Sequence, residues 1–509
     1  MSENREQFVD TEFQAPEGPI ESAVARIQAV VLGVDRVGRT DSFYDFGGTS
    51  LQAIRICARI ERETGRRALP AWLFDTDVLA DFAGRLEERE PAAPEPAPPT
   101  VAEAGGLSDG QVAMWLDGLV RPGHALGNVV VLAYRLTPAP PEQALLDALP
   151  AFTGRHDALV TAVRADDDGM PQPVKLGVAD ALVIDRYRAE GVSLQARAER
   201  LAQQVDIESG PLVAARIDQV PGGCELLLAF HHACFDGHSE ALLSAELSAL
   251  SRAESLPPAA PFAGLAAAPS RPPDTDLADW GHRLAATQDV SWPAPSPGNP
   301  PGNPPGSPSG AIRFEVPADV AAGLAKQART AGLTPFVLVL RAVGRAVRDA
   351  SATASFCVGV PVSTRDSESD ATVGNFVRQV VVPVGPVELD GPVSAIAASW
   401  ERARALAGVG VSELARLAGR GASERSRLFQ VQFAWQNQPA AVWSIPSVTV
   451  TDLPVNPLVP QFDLTVELRP MPAGTVSGLI EYDQETVAEP AAALIAGRIR
   501  SWFDEGAIA

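Results

Sequence analysis

Two of the chain's six histidines stand side by side, in His231-His232-Ala-Cys-Phe-Asp236-Gly237. An imidazole changes charge near neutral pH, so it can orient a reacting amine or hydroxyl, or take its proton. An aspartate four residues on can pair with a cation and hold the loop in shape. The run follows an apolar stretch, ELLLAF at 225–230, and precedes a helical pattern, HSEALLSAELSAL. A strand-to-helix loop is a place where a rigid scaffold delivers side chains to a site. A lone histidine would be read as a core side chain satisfied by backbone bonds. A doubled one ahead of Asp-Gly is a rarer pattern in a chain so poor in histidine.

The second candidate is Ser50, in Asp41-Ser-Phe-Tyr-Asp45-Phe-Gly47-Gly48-Thr-Ser50-Leu51-Gln-Ala. The two glycines permit a tight turn. The serine then opens a helical pattern, SLQAIRICARIERETG, where unpaired backbone N–H groups favour an anion. That placement suits a serine carrying a phosphodiester, whereas an ordinary serine there is only an N-cap.

The elements around these motifs fall into blocks. Residues 1–90 read as a small helical bundle, with helices over 20–32, 50–65 and 77–89 separated by a long polar loop. Residues 91–106 are a Pro/Ala-rich linker, semi-rigid and long enough to let the first block move. From Leu107 onward, strand-like runs such as 128–134 and 225–230 alternate with helical patterns. The Pro/Gly-rich stretch 291–310, with WPAPSPGNPPGNPPGSPSG at its heart, divides this region into lobes at 107–290 and 311–509.

Composition bounds the function. The chain has 509 residues, 46% hydrophobic and 20% charged, enough for several globular domains. Its 41 Lys+Arg against 63 Asp+Glu give a net charge of −22, the wrong sign for nucleic acid or an anionic membrane surface. The four cysteines, Cys57, Cys224, Cys234 and Cys357, lack CxxC spacing and suggest neither zinc nor a disulfide framework. The N-terminus resembles no targeting peptide and no apolar run is of membrane-spanning length, so a cytoplasmic protein is expected.

The string around Ser50 resembles the D-x-F-x-x-x-G-G-x-S-L signature of peptidyl carrier proteins of nonribosomal peptide synthetases. That resemblance implies a four-helix bundle with 4′-phosphopantetheine on Ser50, and Asp45, Gly47, Gly48 and Leu51 shaping its surroundings. His231–Gly237 resembles the HHxxxDG signature of carrier- and CoA-dependent acyltransferases. Leu107-Ser-Asp-Gly-Gln111-Val-Ala-Met-Trp115, Arg155-His156-Asp-Ala-Leu159, Gly359-Val-Pro361-Val-Ser-Thr-Arg365, Val373-Gly-Asn-Phe-Val377 and Leu428-Phe-Gln-Val-Gln-Phe433 follow in the order of condensation domains. Phe462-Asp463-Leu464 and Glu481-Tyr482 match later landmarks. The implied fold class is multidomain: a small all-α carrier bundle, then an α/β condensation domain of two chloramphenicol-acetyltransferase-like lobes in a V.

Roles follow from that resemblance. His232 would be the catalytic histidine, orienting the acceptor amine or taking its proton. Asp236 would be structural and ion-paired to Arg365, Gly237 would keep the backbone close to substrate, and His231 would be structural. No metal is implied. Three positions depart from the pattern: Ala113, Val160, and Arg378-Gln379 in place of Asn-Thr. Arg378 would face an acidic acceptor or the pantetheine phosphate, or else be a solvated or core-pairing arginine.

The function expected is acyl transfer from the carrier to an acceptor amine or alcohol supplied in trans. Its partners would be a phosphopantetheinyl transferase, an upstream adenylation or synthetase protein that loads Ser50, and a downstream carrier protein or free small-molecule acceptor. Two alternatives remain. A carrier–epimerization didomain shares the order and the HHxxxDG run, but an E-G-H-G-R string is missing and position 375 is Asn rather than Trp. A condensation-like docking module without catalysis would be expected to have lost His232, Asp236 or Gly237.

Overall fold

The structure, a computed structural model, describes residues 4–88, 106–188, 191–263, 265, 273–293, 309–420, 428–438 and 441–505. The linker and most of the Pro/Gly-rich stretch lie outside them. At the C-terminal edge of that stretch, residues 309–310 already belong to a strand.

The first block is a bundle of α1 (Gly18–Leu32), α2 (Ser50–Thr64), α3 (Pro70–Asp75) and α4 (Leu79–Arg85). The pairs Arg66–Arg67 (β1) and Glu87–Glu88 (β2) close it with a short antiparallel ladder. Its core is apolar at helical spacing: Val24, Ile27 and Val31 of α1 meet Ala53, Ile56 and Ile60 of α2. Gly33 and Gly65 end these two helices in the left-handed conformation. The six-residue α3 opens on Pro70, too short to show a period in sequence. The long loop from Gly33 to Thr49 is clamped by one buried ion pair. Arg5 donates to Asp41 through Nε (2.6 Å) and Nη2 (2.5 Å), and Asp41 also accepts the Gly38 N–H.

The N-lobe begins with α5 (Asp109–Val120), started by a Ser108–Gln111 capping box. It then runs through β3 (Val129–Thr137), α6 (Glu142–Arg155), the hairpin β4 (Thr161–Ala165) and β5 (Pro171–Lys175), and α7 (Val178–Ala181). β6 (Leu182–Arg188), α8 (Leu194–Ala202), β7 (Val213–Val220), β8 (Gly223–His231) and α9 (Gly237–Ser251) complete it. Every residue of β8 is buried, because its two faces serve two cores. Leu226, Leu228 and Phe230 face one core, while Leu227 and Ala229 meet Leu201 in the other.

The C-lobe holds α10 (Asp274–Ala285), β9 (Ser309–Val316), α11 (Ala318–Thr330), α12 (Pro335–Ser351), β10 (Phe356–Ser363), β11 (Val377–Val384), α13 (Pro386–Asp390), α14 (Val393–Ala405) and α15 (Val411–Leu417). After β12 (Val431–Trp435) comes β13 (Thr449–Asp452), then β14 (Leu464–Pro470), β15 (Val476–Asp483) and α16 (Glu489–Glu505). Its six-stranded sheet has the order β11-β10-β12-β14-β15-β9.

Two segments cross the division drawn from the Pro/Gly stretch. Leu277, Trp280 and Leu284 of α10, with Val290, pack in the C-lobe core although they precede that stretch. β13 leaves the C-terminal half and pairs antiparallel with β3, as the edge of the five-stranded N-lobe sheet β13-β3-β8-β7-β6. Sheet pairing follows hydrogen-bond register rather than chain order, so no local pattern announces it.

The carrier lies against the N-lobe. Ile54 of α2 is buried beside Trp115 of α5 and Val163 of β4, with Leu116, Leu119 and Ile207 around them. Val120, at the end of α5, packs on the carrier's own core.

Asp41→Ala would leave the buried Arg5 guanidinium uncompensated. It is expected to destabilise the carrier by roughly 3–5 kcal/mol, the cost of breaking a buried pair from one side. Thermal unfolding of the full chain, followed by carrier-specific amide signals, checks this.

Candidate functional site

Ser50 is the first residue of α2. Thr49 caps that helix, its side chain accepting the Gln52 N–H while Gln52 Oε1 accepts the Thr49 N–H at 2.9 Å. Gly47 has φ of +68°, and a Cβ on Gly48 would sit 2.3 Å from the Phe43 ring. Both glycines are therefore required for the loop to deliver residue 50 to the start of a 15-residue helix. Phosphopantetheine fits this place: its phosphodiester would lie at the positive end of the α2 dipole.

His231 ends β8, and His232 begins a 3₁₀ turn, His232–Cys234. His232 Nδ1 lies 2.7 Å from the Phe235 carbonyl oxygen. A carbonyl only accepts, so Nδ1 carries the hydrogen, and the neutral ring keeps Nε2 as its acceptor. The carbonyl oxygen of His232 accepts from Asn375 Nδ2 at 2.7 Å, and Asn375 Oδ1 takes the Val377 N–H at 2.8 Å. Asn375 thus ties the histidine turn to the start of β11. The sequence offered Asn375 only as a residue that was not Trp.

His231 is buried and accepts the Ala233 N–H on Nδ1 at 3.1 Å. Burial, with the neighbouring His232 adding to it, pushes its pKa down to about 4. It is a neutral ring bound to its own backbone. Cys234 donates to the His231 carbonyl at 3.0 Å, and burial pushes its thiol up to about 12. It is not a nucleophile near neutral pH.

Asp236 caps α9, accepting the Ser239 N–H at 2.9 Å. Arg365 reaches it from the segment between β10 and β11, with Nη2 2.9 Å from Oδ1 and Nε 3.2 Å from Oδ2. The rest of the guanidinium is bound to the carbonyls of Ser369, Thr372 and Gly374 and lies 4.3 Å from the Phe376 ring centroid. Both side chains are almost fully buried, at 5% and 2% exposed. A Cβ on Gly237 would lie 3.1 Å from Gln438 Nε2, so this glycine makes room for a C-lobe side chain.

Arg378 pairs with Asp109 at the start of α5, at 3.0 Å. Its side chain is largely buried while the Asp109 carboxylate is exposed. Glu481, known from sequence only as a landmark, is half-buried on β15 with Ser309 Oγ at 3.4 Å. Burial first, and then Glu467, push its pKa up to about 8, so it is mostly protonated at neutral pH. Among the described residues no cluster of His, Cys, Asp and Glu could hold a metal.

The pKa of His231 has a consequence for stability. Folded His231 refuses a proton that the unfolded ring accepts below about 6.5, so stability rises with pH between about 4 and 6.5. Moving from pH 7 to pH 5 is expected to cost about 2 kcal/mol from this group alone. In His231→Asn that share of the pH dependence should vanish, which denaturant titrations of both chains at the two pH values would reveal.

Comparison with known proteins places these features. The model of the condensation domain matches residues 106–501, and that of the phosphopantetheine attachment site matches residues 22–86. Malpinin synthetase of Mortierella alpina is 26% identical over 94% of this chain. The probable nonribosomal peptide synthetase CymA of Salinispora arenicola is 29% identical over 92%. The chain spans 6% of the length of each. Two solved structures each overlie 81% of the chain: the condensation domain of the monacolin K polyketide synthase MokA (TM-score 0.64, 17% identity, all of that chain) and the epimerization domain TycB3(E) of tyrocidine synthetase (TM-score 0.60, 18% identity, 98% of that chain). At such identities they establish the fold, which both activities share. The chain belongs to the condensation domain family, with a phosphopantetheine-bearing carrier domain ahead of it, as in a nonribosomal peptide synthetase carrier–condensation didomain.

Proposed function

We propose that the carrier is the donor for its own condensation domain, and that an acyl group held at Ser50 passes to an acceptor amine or alcohol supplied in trans. The observation that carries this reading is the position of α5. Its middle and C-terminal end bear the carrier, through Trp115, Leu119 and Val120, while the helix also packs on the 3₁₀ turn that holds His232. Ile54, one turn from Ser50, touches Trp115. From Trp115 to the start of α5 is about 9 Å at 1.5 Å per residue. One helix therefore joins the attachment serine's neighbourhood to the candidate base.

Phosphopantetheine, once attached, supplies the thiol that holds the acyl group as a thioester. Ser50 anchors it, and the α2 N-terminus offsets its phosphate charge. His232 Nε2 would take the proton of the attacking amine or hydroxyl as that group bonds to the acyl carbonyl carbon, and would give it up to the leaving group. The Phe235 carbonyl fixes the ring's tautomer, and Asn375 fixes the turn. The Asp236–Arg365 pair holds the two lobes around it. A phosphopantetheinyl transferase and an upstream loading protein complete the set of partners.

The test loads Ser50 with an aminoacyl-pantetheine and follows the intact mass in D₂O. The arms are no acceptor, a panel of free amines, and an aminoacyl carrier protein. Loss of the acyl mass only when an acceptor is present, slowed about 10²-fold or more in His232→Ala, is expected. Deuterium gained without any acceptor would replace this reading by epimerization, and unchanged transfer in His232→Ala would remove the histidine from the chemistry.

Asn375→Ala should slow the same transfer about tenfold by loosening the His232 turn, since a small misplacement of a catalytic group is costly. The pH profile should broaden or shift with it while the unfolding midpoint stays close to that of the parent chain. An unaltered rate would confine Asn375 to packing.

A further inference from the structure

The tip of the β4–β5 hairpin is a built surface. Asp166 accepts the N–H groups of Asp168 (3.0 Å) and Met170 (2.8 Å) on Oδ1 and the Gln172 amide on Oδ2 (3.1 Å). The Gly169 N–H closes the turn onto the Asp166 carbonyl at 2.9 Å. Asp166 is thus spent on shaping the tip, which leaves the Asp167 carbonyl, the Asp168 carboxylate and the Gly169 backbone facing outward.

All three meet one face of α2. Arg62 Nη1 lies 3.0 Å from the Asp167 carbonyl and 3.4 Å from Asp168 Oδ1, and Arg59 Nη2 lies 3.6 Å from that same oxygen. Gly169 comes so close that a Cβ on it would stand 3.2 Å from each of Ala58 Cβ, Arg55 Cα and the Ile54 carbonyl oxygen. Residues 54, 55, 58, 59 and 62 share one helix face. Three of them are arginines, in a carrier block that has 11 Arg against 17 Asp+Glu. The basic stripe is therefore local, and it lies where the acidic tip touches.

We propose that the Asp166–Gly169 tip is the element by which this condensation domain selects its carrier. It accepts a second helix that presents a small residue at position 58 beside arginines at 59 and 62. This deepens the donor reading above and rests on it. The two kinds of contact divide the work. The apolar contact of Ile54 with Trp115 supplies attraction to any carrier with an aliphatic residue there. The Asp168 carboxylate rejects an acidic helix face, and the close approach at Gly169 rejects a bulky one. Partly exposed ion pairs add little affinity, but a like-charge juxtaposition is unfavourable, so they serve discrimination better than strength.

The test uses the full chain, spin-labelled at Val30→Cys on the carrier and Val442→Cys on the condensation domain. Both positions are exposed, while the four native cysteines are buried and escape labelling. The parent chain should give one narrow distance distribution. Asp168→Arg should lower the docked-to-undocked ratio about tenfold, the size of effect expected when surface attraction becomes repulsion. Adding Arg59→Asp and Arg62→Asp to it should restore the narrow peak, and that recovery also shows that the hairpin still folds. Ala58→Leu, a substitution a helix tolerates, should lower the ratio with no change of charge. A narrow peak that survives both Asp168→Arg and Ala58→Leu overturns the proposal, as does a charge-swapped chain that fails to recover. Because the readout is a distance, a chain that docks as expected yet transfers no acyl group counts against the donor reading alone.

Discussion

A buried charge pair joins the two lobes, and the histidine turn is organised around it. Asp236 sits where the histidine turn becomes α9, and Arg365 sits in the segment that links β10 to β11. Neither is alone. Ser239 Oγ donates to Asp236 at 2.8 Å and receives the Gly374 N–H at 3.1 Å, and the Phe376 N–H reaches Asp236 Oδ2. Removing one partner of such a pair costs roughly 3–5 kcal/mol, whereas replacing both can be neutral. Its worth here is geometric. It fixes which C-lobe residues lie over the histidine turn, and with them the position of Asn375 against the His232 carbonyl.

The adjoining constraint is weaker by design of its chemistry. The carrier is held by a small apolar patch and by ion pairs that water reaches; Arg62 and Asp168 are each about half exposed. Such contacts weaken with salt and give way easily. The interior of the N-lobe is held differently, by the buried network of Arg197 with Asp218 and Glu225.

What could be read from the sequence divides along the same line. The start of α2 was legible because Gly47, Gly48 and Ser50 act through local dihedrals and a helix end. The histidine turn was legible because a buried strand, two histidines and a helix start are contiguous. Helices α1 and α2 showed their period; α3, at six residues, did not. The contacts that give the site its shape were illegible, because they join residues far apart in the chain. His232 to Asn375 spans 143 positions and Arg62 to Asp168 spans 106. The partner of Arg378 was illegible too, because Asp109 lies 269 positions away.

The strand exchange has a consequence for recombining such domains. A fragment cut at the Pro/Gly-rich stretch would look like a clean half, yet it would take β13 away from the N-lobe sheet and leave β3 as a bare edge. It would also strand Trp280 and Leu284 without the C-lobe core they complete. Exposed edges of that kind invite pairing with other chains. The two halves are therefore one inheritable unit. A chimera that respects the fold must move both lobes together or exchange only the carrier, across a seam of one small apolar patch and a few exposed ion pairs.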